Sequence, residues 1–136
     1  MQQRTLPPIE HFTTTVMIVV EPTRTLAEAA RLMREHSIRH LPIVEDGEPI
    51  GVISERDVHL VETLPDVDPA RITVAEAMRD ELYLVDPEAP LDQVARHMAE
   101  HRYGCAIVAR GSRIVGLFTT TDALRALSVL MTRDLD

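Results

Sequence analysis

An internal repeat constrains this chain more than any other feature. The stretch Val20 to Asp57, VEPTRTLAEAARLMREHSIRHLPIVEDGEPIGVISERD, returns 65 positions later, without a gap, as Val85 to Asp122, VDPEAPLDQVARHMAEHRYGCAIVARGSRIVGLFTTTD. Ten of the 38 aligned positions are identical: Val20/Val85, Pro22/Pro87, Leu26/Leu91, Ala30/Ala95, Arg31/Arg96, Met33/Met98, Glu35/Glu100, His36/His101, Gly51/Gly116 and Asp57/Asp122. Most other positions exchange like for like. Two copies are too few for a solenoid, which needs a longer stack before a continuous core forms. The duplication therefore predicts a closed arrangement in which each copy buries the other's apolar face.

With 136 residues, of which 45% are hydrophobic, the chain has one domain's worth of core to bury. No apolar run approaches the roughly 20 residues of a membrane helix, and the N-terminus MQQRTLPPIE has no signal-peptide pattern. Cys105 is the single cysteine, which excludes an internal disulfide and fits a reducing cytoplasm. A net charge of −8 works against nucleic acid as a partner, and two tyrosines, two phenylalanines and no tryptophan leave little for base stacking.

Each copy reads as strand, helix, strand, strand, helix. In the first, Val16 to Val20 predicts a buried strand. Thr25 and Glu28 predict a capping box that opens a helix ending near His36, with Leu26, Ala29, Ala30 and Met33 on its apolar face. Leu41 to Val44 and Ile50 to Ile53 predict a hairpin about Gly47, and Ser54-Glu-Arg-Asp57 opens a helix reaching about Glu62. Thr73 to Glu76 caps a short helix. The second copy predicts strand 82–85, helix 91–100, strands 106–109 and 115–118, and a last helix from Asp122 to about Met131. The expected division is an arm over 1–11, units over 12–62 and 73–131 joined by a linker over 63–72, and a fraying tail over 132–136.

Both copies close on a strand, a hydroxyl, two residues and an aspartate: Gly51-Val-Ile-Ser54-Glu-Arg-Asp57 and Gly116-Leu-Phe-Thr119-Thr-Thr-Asp122. One reading is a capping box and nothing more. The other is a ligand site, since helix N-terminal amides and hydroxyls attract phosphate and a carboxylate accepts from vicinal ribose hydroxyls. The spacing leaves both open. His36 with His40, and His97 with His101, stand four apart, but without a third ligand they predict no metal site. Cys105 reads as a small buried residue.

The tandem S/T-x-x-D motifs after glycine-led strands, with "LPIV" after the first helix, resemble the CBS-domain pair, or Bateman module, over about Phe12 to Met131. That resemblance implies an α/β (α+β) fold of two βαββα units with pseudo-two-fold symmetry and two clefts for adenosine-containing ligands such as AMP, ADP, ATP or S-adenosylmethionine. It assigns Thr13, Val16, Ile18, Ile38, Arg39 and His40 with Thr119, Thr121 and Asp122 to one cleft. Tyr83, Tyr103, Gly104 and Cys105 with Ser54, Arg56 and Asp57 form the other, where Met78 stands in place of a threonine. The first cleft, with two cations in Arg39 and His40, is the expected nucleotide site.

The expected function is a stand-alone regulatory module, not an enzyme, that needs no cofactor and signals through a homodimer or an unknown regulated protein. The last helix, with Leu124, Leu127, Val129, Leu130 and Met131, offers an apolar dimer surface. A structural dimer with empty clefts is the alternative. A nucleotide-acting enzyme is disfavoured because no nucleophile–base pair or metal constellation converges.

Overall fold

The capping residues act where their spacing places them. In the computed structural model, which describes residues 6–15, 18–79 and 82–134, Thr25 Oγ1 accepts from the Glu28 amide at 3.1 Å while the Glu28 carboxylate reaches back to the Thr25 amide. This opens α1 (Leu26–Glu35), which buries Leu26, Ala29 and Met33. Its counterpart α4 (Leu91–His101) starts at Pro90 with no side-chain cap, because Pro90 replaces the threonine. Past each helix comes a left-handed non-glycine residue at the same repeat position, Ser37 at φ 53° and Arg102 at φ 57°. Holding an L-residue there costs about 1–2 kcal/mol, which the surrounding packing offsets.

Strands β2 (His40–Glu45) and β3 (Glu48–Ser54) form an antiparallel hairpin, as do β5 (Cys105–Arg110) and β6 (Arg113–Thr119). Asp46 and Gly47 both take positive φ, 52° and 80°, the requirement of a two-residue turn that matches strand twist. Helix α2 (Glu55–Glu62) follows β3, and α5 (Thr120–Asp134) follows β6. A short helix α3 (Val74–Ala77) is capped by Thr73, whose hydroxyl accepts from the Glu76 amide.

The described residues fall into two compact units, one of Met17–Leu82 and one of Met1–Val16 with Tyr83–Asp136. The N-terminal segment therefore belongs with the second copy. A 3-10 turn over Ile9–Phe12 buries Ile9 completely beside Phe118, Val94 and Met98. Strand β1 (Thr14–Thr15) then pairs antiparallel with β6, at the edge of a sheet ordered β1-β6-β5-β4, where β4 is Leu84–Val85. The segment 73–79, after the expected linker, does the same for the first unit. Val74, fully buried, enters the core of Leu26, Leu41, Ile43 and Ile53, and Arg79 bridges antiparallel to Val52.

These contacts obey the 65-residue offset: Ile9 matches Val74, the Thr14–Leu117 pairing matches Arg79–Val52, and the Pro8–Pro90 bridge matches Thr73–Thr25. The repeat thus begins upstream of Val20, with the leading segment of each copy built into the other unit.

Several elements differ from expectation. Val16 to Val20 is not a strand through its described part: Val19 is 45% exposed, and Val20 makes a single parallel bridge to Ile43. Val16 and Met17 lie outside the described residues, as do 1–5 of the expected arm. The strand expected over 82–85 is confined to Leu84–Val85. Helix α5 starts two residues earlier than Asp122, because Thr119 rather than Asp122 sits at the cap, and it continues through Asp134 where a fraying tail was expected. Cys105 is only half-buried.

Gly51 and Gly116 mark where the incoming segments cross. A Cβ on Gly116 would lie 2.6 Å from Thr13 Cγ2 and collide with the Thr14 carbonyl; on Gly51 it would meet the Arg79 carbonyl and Met78 Sδ at 3.1 Å. Gly116→Ala is expected to lose about 1–3 kcal/mol as β1 is pushed from β6. Gly51→Ala, meeting a movable thioether, is expected to lose less. Urea unfolding of the two variants measures the difference.

Candidate functional site

Each S/T-x-x-D motif folds as a reciprocal cap. Ser54 sits at the N-cap of α2, its hydroxyl accepting from the Asp57 amide at 3.1 Å, while Asp57 Oδ2 accepts from the Ser54 amide at 3.0 Å and hydroxyl at 2.8 Å. Thr119 and Asp122 repeat this on α5: the Asp122 amide donates to Thr119 Oγ1 at 3.2 Å, and Asp122 Oδ2 accepts at 2.9 and 3.0 Å. The cap therefore occupies one carboxylate oxygen in each copy.

The other oxygen is contacted by the segment that precedes the opposite copy. Thr14 Oγ1 donates to Asp122 Oδ1 at 2.9 Å, and Arg79 Nε donates to Asp57 Oδ1 at 3.3 Å. Thr14 and Arg79 are equivalent under the 65-residue offset. Asp122 Oδ1 also accepts from Arg125 Nη1 at 2.9 Å, one turn along α5. Asp57 is 8% exposed and Asp122 2%, so both are nearly buried, yet each has an exposed arginine alongside. Burial of a carboxylate is tolerated because it is hydrogen-bonded on both oxygens.

The remaining expected site residues divide between the units. In the second unit Thr13 does not contact Asp122; its hydroxyl donates to the Ile9 carbonyl at 2.8 Å, and Thr14, one residue on, takes the carboxylate. Thr121 is exposed on the first turn of α5. In the first unit Ile38 and Arg39 line a cavity of about 440 Å³ with Met33, Arg34, Val58 and Glu62, a cavity that Asp57 does not line. The Arg39 carbonyl accepts from the Glu55 amide, as the Gly104 carbonyl does from Thr120, so both tie a strand to the following helix start. Ile18 is half-buried against the first unit's core, His40 begins β2, and Arg56 is exposed on α2. Val16 lies outside the described residues.

Tyr83 and Tyr103 do not stand alone. Tyr83 stacks on His97 at 4.2 Å between ring centroids, His97 on His101 at 4.0 Å, and His101 on Tyr103 at 5.2 Å. Burial raises the Tyr83 phenol above the ordinary tyrosine range. At the equivalent positions the first copy carries Ile18, Leu32, His36 and Ile38, so an aliphatic patch has become an aromatic one. Among the described residues no three His, Cys, Asp or Glu are grouped to hold a metal ion. No described helix is long and apolar enough to cross a membrane.

Sequence reasoning missed Thr14 and Arg79. The signal was available: continuing the gapless offset upstream of Val20 aligns apolar Ile9 with Val74, and with them Thr14 with Arg79.

The family model for the CBS domain matches residues 9–61 and 74–129. These limits coincide with the structural repeat that begins at Ile9 and Val74. The chain belongs to the CBS-domain family and has the mixed α/β fold of a tandem CBS pair. It is 36% identical over 104 residues to Hypoxic response protein 1 of Mycobacterium tuberculosis, covering 76% of this chain and 73% of that protein. The crystal structure of a protein described as a putative acetoin utilization protein (AcuB) from Vibrio cholerae superposes with a TM-score of 0.79 at 27% identity over 98% of both chains. The CBS domain pair of protein MJ0100 superposes with a TM-score of 0.80 at 24% identity, over 90% of this chain and 97% of that one.

Asp122 holds four hydrogen-bonding partners and Asp57 three, so the two carboxylates contribute unequally to stability. Asp122→Ala removes the carboxylate half of the capping box and the acceptor of Thr14, with an expected loss of about 2–3 kcal/mol; Asp57→Ala is expected to lose about 1–2 kcal/mol. Equilibrium denaturation of each variant tests the order.

Proposed function

We propose that this chain is a regulatory binding module for an adenosine-containing ligand, in which Asp57 or Asp122 accepts the ribose hydroxyls. The observation that carries the reading is the repeated one: two nearly buried carboxylates at helix starts, each with a cationic side chain on its second oxygen. A carboxylate used only as a cap needs neither the incoming segment nor the arginine. The CBS domain pair of MJ0100 was solved with 5′-methylthioadenosine and S-adenosyl-L-methionine, which supports an adenosyl ligand at the level of fold.

Regulation follows if the ligand binds one conformation better than another. Replacing Thr14 or Arg79 on an aspartate by a ribose alters how the incoming segment is held, and the equilibrium moves only by the difference in affinity between the two states. Transmission through a second copy suits α5, whose Leu124, Leu127, Val129 and Met131 are 67%, 54%, 41% and 59% exposed. Leu130, expected on that surface, packs instead against the second unit's core.

A thermal-shift panel of adenine nucleotides, adenosine and S-adenosylmethionine tests the reading. A ligand at 100 times its Kd adds about 2.7 kcal/mol of apparent stability, and incubation with that ligand is expected to leave it chemically unchanged. No shift with any adenosyl compound, or turnover of the nucleotide, counts against the module. The paired change Leu124→Glu with Leu127→Glu is expected to convert a dimer to a monomer in sedimentation without lowering the melting temperature.

A further inference from the structure

The two carboxylates differ in how many acceptor positions remain. An ionised carboxylate offers about four. Asp122 has all four occupied, by the Thr119 amide and hydroxyl on Oδ2 and by Thr14 and Arg125 on Oδ1, each at 2.9 or 3.0 Å. Asp57 has three occupied, by the Ser54 amide and hydroxyl on Oδ2 and by Arg79 Nε on Oδ1. A ribose diol brings two donors. At Asp57 one position is open and one donor must leave, whereas at Asp122 two must leave.

The donor that leaves Asp57 is Arg79. Its 3.3 Å contact is the longest of the three, longer than the roughly 2.7–2.9 Å of a strong charge-assisted bond, and its side chain is 58% exposed. Among the described residues, nothing else on the protein bonds the guanidinium. Displaced, it remains tethered beside the diol as an unpaired cation, one sugar ring from the ligand's 5′ position. A 5′-phosphate there offers a planar fork two oxygens to pair with. An uncharged 5′-hydroxyl offers no such exchange, and a sulfonium repels it.

We propose that Arg79 is the specificity-determining residue of the Asp57 site, reading a phosphate on the ligand whose ribose takes the carboxylate. The inference rests on the adenosyl reading above. It is asymmetric between the copies, because the repeat-equivalent of Arg79 is neutral Thr14. It also reverses the sequence-based preference, which placed the nucleotide with Asp122.

Calorimetric titration of the full chain with AMP and with adenosine is the test, using the wild type, Arg79→Thr, Arg79→Met and Arg125→Met. Arg79→Thr installs the residue that already contacts the carboxylate in the other copy, so the fold is retained should Arg79→Met weaken it. In the wild type AMP is expected to bind about tenfold or more tightly than adenosine. In both Arg79 variants the ratio is expected to fall to within about threefold, through loss of AMP affinity with adenosine unchanged or tighter. A ratio that survives both Arg79 variants, parallel loss of both ligands, or a ratio that collapses in Arg125→Met instead overturns the assignment while leaving the adenosyl reading intact. Failure of both ligands to bind the wild type removes both readings.

Discussion

A carboxylate at the third position of a helix, with one oxygen occupied by its own cap and the other by a segment from ahead of the opposite copy, is the interaction on which this structure depends. The cap fixes the geometry, because an N-terminal hydroxyl and an aspartate three residues later satisfy each other's amides and leave Oδ1 uncommitted. Oδ1 is then the side-chain acceptor that holds Thr14 or Arg79, beside the backbone pairing of each segment with a strand. The close crossing of those segments in turn requires glycine at 116, where a Cβ would strike the Thr14 carbonyl, and favours it at 51, where a Cβ would press on the Arg79 carbonyl. Aspartate, glycine and leading segment form one device, present twice.

How much of this was legible follows from how local each signal is. The capping boxes at Thr25, Ser54 and Thr119, the one-sided cap at Thr73 and the Asp46-Gly47 turn are decided within four residues, and the structure has them where the spacing put them. The exchange of leading segments was legible only faintly, because Pro8 to Thr15 and Thr73 to Asp80 share no identical residue. What they share is a buried apolar anchor, Ile9 and Val74, and a single such pair carries little information on its own. The apolar run at Val16 to Val20 misled for the opposite reason. Its composition suits a strand, but in its described part only Val20 finds strand partners, its amide on the Pro42 carbonyl and its carbonyl on the Val44 amide.

The hydroxyl and carboxylate pairs were legible from their spacing, and the incoming hydroxyl was placed one residue away from the one that meets Asp122. Ser54, Asp57, Thr119 and Asp122 were identified by spacing and stand together as expected within each unit. Thr13 was one residue from the hydroxyl that makes the contact, and the strand alternation that decides between Thr13 and Thr14 is set by pairing with β6, a long-range event. The copies have also diverged: the Ile18, Leu32 and Ile38 patch has its counterpart in the stacked rings of Tyr83, His97, His101 and Tyr103. The two copies share the hydroxyl and carboxylate motif and differ in the surfaces beside it, so one fold carries two chemically unlike faces.

The claim at the centre of this account is that the N-terminal segment is fastened to the second copy through Thr14 and Asp122. A double-mutant cycle in urea, with Thr14→Val, Asp122→Asn and the pair, measures that fastening directly. The account predicts a coupling of about 0.5–3 kcal/mol between positions 108 residues apart in sequence. Losses that add to within about 0.3 kcal/mol would contradict it.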